Sequence, residues 1–229
     1  MNKGGFTGKA QAYAAGRPGY PDSAVEYICS LVPPDAVFAD IGAGTGIFTV
    51  LIARCGYKIF AVEPNADMRE QLTITLEPYP NAEIYCGAGE ASTLPDQCVD
   101  AIICSQSLGW LDLDGFRAEC RRIAKPGAMI ASIFNETPGE IHTIRSHRYT
   151  SRQASELFFC NPIIREFPNN IQYSLKKWFH RIASNSDFPL PSDPGYDEYI
   201  AKANEFFIQN NIGGFIYELL MTVVYVESL

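Results

Sequence analysis

The sequence predicts an α/β fold: a doubly wound, mostly parallel sheet with helices on both faces. Three observations carry this expectation. Between residues 34 and 134, short apolar runs alternate with helical patterns, the order that parallel strands joined by crossover helices require. The runs are nearly continuous in apolar residues rather than alternating, as in strands covered on both faces. The first of them breaks at Asp40-Ile41-Gly42-Ala43-Gly44-Thr45-Gly46 into a glycine-rich turn, and a helical pattern restarts at Ile47. Such a junction brings bare backbone N–H groups and a helix N-terminus toward a ligand.

The elements follow in order. The alanine-rich stretch around Ala10–Ala15 reads as a short helix, ended by Gly16 and the Arg17-Pro18 step. Asp22 or Ser23 can cap a second helix, with Val25, Ile28, Leu31 and Val32 on its apolar face and Pro33-Pro34 as its stop. Strands are expected at 36–41, 58–62, 82–86, 100–104 and 128–134, and helices at 47–54, 66–76 and 114–124. Lys125-Pro126-Gly127 reads as the turn before the last of these strands. Beyond Asn135 the regularity fades. Residues 138–158 look helical, 163–167 read as a strand, and Ser174 is placed to cap a helix through Ala183. A turn-rich connector, Asp187 to Gly195, leads to a helix over 196–210 and a β-rich end at 215–226. The chain is therefore expected to be a single domain, 1–229. It divides into a helical arm (1–33), a core (34–134), an insertion or lid with one strand (135–212), and a C-terminal strand (213–229).

Composition bounds the function. The 229 residues are 47% hydrophobic and 12% aromatic, enough for a sizeable core. A formal net charge of -8 argues against nucleic acid and anionic membranes as partners. No apolar run approaches the roughly 18 residues of a membrane span, and the N-terminus lacks the apolar core of a signal peptide. The seven cysteines form no CxxC pair and the three histidines no metal spacing. The expectations are reduced thiols in the cytoplasm, no metal, a small-molecule partner, and a monomer or homodimer.

The glycine turn admits several nucleotide-like ligands. A dinucleotide fingerprint needs a third glycine three positions after the second, whereas here Ile47 stands in that place, and no GK[ST] follows to make a P-loop. Glu63 ends the neighbouring strand 23 residues after Asp40. A carboxylate there can accept both hydroxyls of an unphosphorylated ribose. Met68, on the first turn of the next helix, can lie against a flat base or serve the core.

With these residues in view, the chain resembles class I S-adenosylmethionine-dependent methyltransferases, in particular the small-molecule branch related to trans-aconitate methyltransferases. The resemblance rests on 37–46, on Ala61-Val62-Glu63-Pro64-Asn65-Ala66-Asp67-Met68, and on the run from Gly87 to Asp100. The arm from Phe6 through Tyr13 and Arg17-Pro18-Gly19-Tyr20-Pro21 also fits, and Thr222-Val223-Val224-Tyr225 resembles the family's last strand. It implies a seven-stranded Rossmann-like methyltransferase sheet with an antiparallel C-terminal strand and S-adenosylmethionine as cofactor. It also implies roles. Gly42, Ala43 and Gly44 would run beneath the methionine part, with Asp40 positioning that loop. Glu63 would hold the ribose, Met68 would pack on the adenine, and Gly89, Glu90 and Ala91 would face its edge. Ser105 and Gln106 would sit near the sulfonium, while Tyr13 and Arg17 close over the cofactor, Arg17 toward its carboxylate.

One departure stands out: where relatives carry histidine before tryptophan, this chain reads Gly109-Trp110. Candidate acceptor-pocket residues are Tyr13, Gln106, Trp110 and His142. Arg145, His147, Arg148 and Arg152 read either as a solvated helix face or as an anion-selective lid. Methyl transfer from a sulfonium needs alignment and exclusion of water more than a base. The expected activity is therefore methylation of a small molecule, with a carboxylate among the acceptors considered. A lipid- or quinone-directed methyltransferase and a cofactor-binding protein without turnover stand as alternatives.

Overall fold

The structure is a computed structural model that describes residues 10–137, 149–185, 188–189 and 191–229. Seven strands form one sheet: β1 (Val37–Ile41), β2 (Lys58–Val62), β3 (Ala82–Tyr85), β4 (Val99–Ser105), β5 (Ala124–Glu136), β6 (Ile163–Ser174) and β7 (Phe215–Ser228). Their order is β3-β2-β1-β4-β5-β7-β6, and only β7 runs antiparallel to its neighbours. Among the described residues eight α-helices accompany them: α1 (Ala10–Gly16), α2 (Asp22–Cys29), α3 (Ile47–Arg54), α4 (Ala66–Leu76), α5 (Leu113–Ile123), α6 (Ser151–Phe158), α7 (Leu175–Ala183) and α8 (Tyr196–Asn210).

The continuous apolar runs have the cause expected of them. Alternate residues of each central strand enter opposite cores. Ala39, Ile41, Ile102 and Cys104 pack with Phe116, Phe134 and Phe158 beneath α5 and α6. Phe38, Ile59, Ala101 and Ile103 pack with Ile28, Phe48 and Ile52 beneath α2 and α3. Since both faces are covered, most positions on these strands are buried, with Lys58 at the start of β2 and Asp100 near the start of β4 reaching solvent. Strand order reverses between β1 and β4, and in an open α/β sheet that reversal leaves a crevice at the carboxyl ends of the strands.

Two elements exceed the sequence expectation by more than two residues. β6 extends through Pro168 to Ser174 and pairs with β7 along its whole length. Pro168 reads as a breaker, but β6 is an edge strand, where a missing N–H costs no ladder bond. β5 begins at Ala124 because Lys125-Pro126-Gly127 forms a bulge within the strand, with a register shift against β4 and Gly127 at φ 80°. Of the helix expected over 138–158, the structure shows Ser151–Phe158, started by a capping box in which Thr150 and Gln153 exchange bonds. Residues 138–148 lie outside the described residues.

The arm is fastened over the carboxyl ends of the strands. α1 crosses α7 so closely that a Cβ on Gly16 would fall 1.9 Å from the His180 carbonyl oxygen. Gly16 thus does more than end a helix: it permits the crossing. Among the described residues, no helix is long and apolar enough to span a membrane.

Candidate functional site

A cleft of about 770 Å³, part of it open to solvent, occupies the crevice at the β1/β4 reversal. Tyr13, Gly42, Gly44, Glu63, Met68, Gly89, Ser105, Gln106 and Trp110 line it, so nine of the residues singled out in the sequence converge there. Pro64, Asn65, Ser107 and Leu111 complete the wall.

The glycine turn differs from its expected form in one respect. Four of its N–H groups are not bare. Gly42 and Ala43 both donate to the Val62 carbonyl at 2.9 and 3.0 Å, Gly44 donates to Glu63 Oε2 at 2.9 Å, and Gly46 donates to the Ala43 carbonyl. Gly42, Gly44 and Gly46 have φ of 73°, 59° and 89°, so the turn depends on glycine for its shape. With these four donors engaged within the turn and to β2, it is closer to a platform than to a phosphate cradle. That suits a ligand without phosphates and disfavours a dinucleotide, whose pyrophosphate needs those N–H groups.

Glu63 stands at the end of β2 with both oxygens half engaged. Oε2 accepts from Gly44 N–H and Oε1 from Asn65 N–H at 2.8 Å, while Arg69 donates to the Glu63 main-chain carbonyl. Each carboxylate oxygen keeps a lone pair for one hydroxyl of a vicinal diol. Burial raises the Glu63 pKa, against the two backbone donors and Arg69, which lower it. Asn65 also caps α4, accepting from Met68 N–H at 3.1 Å, and so fixes Met68 as a buried side chain that also reaches the cleft. Met68 thus belongs both to the core and to the cleft wall.

Asp40 lies behind the turn, fully buried and outside the lining. It accepts from Thr49 Oγ1 at 2.7 Å and from Ser105 Oγ at 3.5 Å, tying the start of α3 to the end of β4. Burial pushes its carboxyl up to about 7, the Glu63 charge adds to the rise, and the Thr49 and Ser105 hydrogen bonds oppose it. Ala43 is buried among Ala61, Leu72 and Leu76.

The loop carrying Gly89, Glu90 and Ala91 is braced from behind. Gly89 lies against Leu111, where a Cβ would come within 2.7 Å of Leu111 Cδ2. Glu90 Oε1 accepts from Asp112 N–H at 2.8 Å, Ala88 and Ala91 pair as an isolated bridge, and Ala91 is exposed. Glu119, buried on α5, accepts from both the backbone and the hydroxyl of Ser92 while Arg122 grips it from the other side. The Arg122 hydrogen bonds and those from Ser92 hold its pKa down to about 2, against burial.

On the other side of the cleft, Gln106 adopts φ 57° immediately after β4, a conformation that a non-glycine residue keeps only when its surroundings impose it. Its side chain donates to the Asn135 carbonyl and accepts from Ser151 Oγ, both at 3.3 Å. Ser107 donates to the Ile41 carbonyl and lies under Gly42, where a Cβ would fall 2.6 Å from Ser107 Cβ. Gly109 is buried within a 3₁₀ turn, Leu108–Trp110, which directs Trp110 to the cleft. Arg17 stacks on Tyr13 at 5.0 Å and donates to the Ser184 carbonyl, and it does not line the cleft. Its Nε is buried without a partner, and burial lowers its pKa. His142, Arg145, His147 and Arg148 lie outside the described residues. Arg152 is held by Glu136 and Glu166, so it is already neutralised. No group of three metal-ligating side chains occurs among the described residues, and all seven cysteines are free.

The fold and the cleft together define a Rossmann-like methyltransferase architecture. Residues 39–132 match the family described as "Methyltransferase domain". An uncharacterized methyltransferase of Mycobacterium tuberculosis is 29% identical over 140 residues, 61% of this chain and 56% of its own. An uncharacterized methyltransferase-like protein of Schizosaccharomyces pombe is 30% identical over 126 residues, 54% of this chain and 48% of its own. The chain thus spans about half the length of the curated relatives it matches. Among solved structures, that of a putative type II methyltransferase from Anaeromyxobacter dehalogenans superposes with a TM-score of 0.68 at 18% identity, covering 93% of this chain and 97% of that one. The match to the methyltransferase domain family covers the core, residues 39–132, and the fold agrees with it along the rest of the sheet.

Proposed function

We propose that this protein transfers the methyl group of S-adenosylmethionine to a small-molecule acceptor by in-line displacement, with a carboxylate as the acceptor class. One observation carries the reading: residues suited to the cofactor and residues suited to an acceptor line the same cleft at the β1/β4 reversal. The sulfonium cofactor supplies an activated methyl group whose leaving group needs no protonation. Glu63 would hold the ribose diol, Met68 and Gly89 would enclose the adenine, and the glycine platform would carry the methionine part. Tyr13 would cover the reacting centre and exclude water. Ser105, Gln106 and Trp110 would orient the acceptor.

The acceptor class is argued from the lining. Among the described residues, the lining includes no carboxylate, histidine or lysine to take a proton apart from Glu63, which would hold the ribose. A carboxylate nucleophile is already ionised at neutral pH and needs no base, unlike a phenol or an ammonium. Malonyl-[acyl-carrier protein] O-methyltransferase of Methylococcus capsulatus is 33% identical over 126 residues, 50% of this chain and 43% of its own. That relative and the resemblance of the arm to the trans-aconitate branch both favour oxygen as the methylated atom. Free thiols on all seven cysteines suit a reducing compartment such as the cytoplasm.

The test is turnover of labelled S-adenosylmethionine across small carboxylates, phenols, amines, and lipid or quinone precursors. Turnover of carboxylates is the expected result. Turnover confined to another class would overturn the acceptor assignment, and binding of S-adenosylhomocysteine without turnover of any acceptor would identify a non-catalytic binder.

A further inference from the structure

Near the carboxyl end of β5, Asn135 joins four parts of the chain that sequence reasoning treats separately. Its side-chain Nδ2 donates to the Gly19 carbonyl at 2.9 Å. Asn169, on β6, donates to the same carbonyl at 2.9 Å and to Asn135 Oδ1 at 3.0 Å. Thr222, directly opposite Asn135 on β7, donates its hydroxyl to the same Oδ1. The main-chain carbonyl of Asn135 accepts from Gln106 in the cleft wall. Asn169 and Thr222 are buried, so this polar cluster is shielded from water on its sheet side.

The carbonyl that receives both amides belongs to the irregular link between α1 and α2. Pro18 and Pro21 in that link have no N–H to donate, so its carbonyls carry a larger share of its backbone attachment. On one side of Gly19 the arm carries Tyr13 into the cleft, and on the other Tyr20 packs edge-on against Phe48 at 5.3 Å. A carbonyl whose two lone pairs are both occupied by amides fixed on neighbouring strands is located in two directions at once.

We propose that Asn135 and Asn169 form an amide clamp on the Gly19 carbonyl that sets the closed position of the N-terminal arm. Asn135 is thereby a positioning residue for Tyr13 and the cofactor, acting through the arm and touching neither. The cofactor half of this inference rests on the reading under Proposed function; the clamp itself does not.

Asn135→Asp tests it. The carboxylate keeps acceptors for Thr222 and Asn169 but turns a lone pair toward the Gly19 carbonyl in place of a donor. Hydrogen exchange of the ligand-free full chain should then quicken about tenfold over residues 10–20, the equivalent of one net hydrogen bond, with β1 and β4 unchanged. Unchanged exchange in the arm would overturn the clamp. If Asn135→Asp fails to fold, Asn169→Ser, which removes the second donor to that carbonyl together with the bond to Asn135 Oδ1, is read in the same way and should also quicken the arm. Calorimetric titration with S-adenosylhomocysteine reads the second half. Asn135→Asp should weaken binding about tenfold in the wild-type background and less than twofold beside Tyr13→Ala, because the arm's contact is then already lost. Equal losses in both backgrounds would refute action through the arm. Failure of the wild type to bind S-adenosylhomocysteine would refute the cofactor reading, and exchange would still decide the clamp.

Discussion

Glu63 offers the sharpest test of the cofactor assignment, because its environment makes glutamine a poor substitute. Both oxygens of the carboxylate accept a backbone N–H, from Gly44 and from Asn65. An amide in the same place must aim its NH₂ at one of these two donors. Glu63→Gln therefore loses the charge, meets a donor with a donor, and leaves at most one acceptor for the ribose. Two hydrogen bonds to a charged group contribute about 1.5–3 kcal/mol each. Allowing for non-additivity, about 3 kcal/mol of binding should disappear, a roughly 100-fold rise in Kd for S-adenosylhomocysteine. Glu63→Ala, which removes the mismatch along with the carboxylate, should bind no worse than Glu63→Gln. Isothermal titration of the three proteins measures this. Melting curves should place both variants about 2–6 °C below wild type, as expected for about 1–2 kcal/mol lost where two N–H groups at the cleft give up a charged acceptor. Wild-type affinity in Glu63→Gln, within threefold, would refute the assignment of the ribose to this carboxylate.

Two further outcomes follow from the same turn. Asp40 has a folded pKa of about 7, above its ordinary value of 3.8, so the folded protein holds a proton that the unfolded chain has released. Its contribution is fully present below the unfolded pKa and is lost as pH rises from about 4 to 7, on the order of 4 kcal/mol. Urea unfolding of the ligand-free protein should show wild type losing stability relative to Asp40→Asn across that window, and parallel curves would refute the protonated, buried carboxyl. Gly42→Ala places a Cβ 2.6 Å from Ser107 Cβ at a φ of 73°; left-handed strain and the displaced Ser107 should cost about 2–3 kcal/mol. A melting temperature unchanged to within 1 °C would contradict that.

Most of the fold was legible because its determinants are local. The bounds of β2, α3, α4 and α8 agree with the structure residue for residue, since each is an apolar run or helical pattern closed by Gly, Pro or a cap. The extent of β6 was not, because the residues that favour a break, Pro168-Asn169-Asn170, are tolerated only at a sheet edge. Edge position is a property of strand order, which no local window contains. The 125–127 bulge failed to read as strand for a related reason: it is paired on its two sides, and the pairing belongs to distant residues.

The site divides along the same line. Glycines, Glu63 and Met68 were readable because a strand end and a helix start place them in the crevice whatever surrounds them. Ser107, Leu111 and Asn135 were not, for each looks like an ordinary polar or core residue until the strands beside it are known. The free N–H groups expected at the turn illustrate the limit most clearly. Glycine spacing specifies where the backbone can bend, whereas the partners of its N–H groups, the Val62 carbonyl and Glu63, come from the neighbouring strand. That pairing separates a platform for a sulfonium cofactor from a cradle for phosphates. Glu63, the carboxylate proposed for the ribose, also occupies one of the turn's donors, so under that proposal recognition of the ribose and exclusion of a pyrophosphate both involve one side chain.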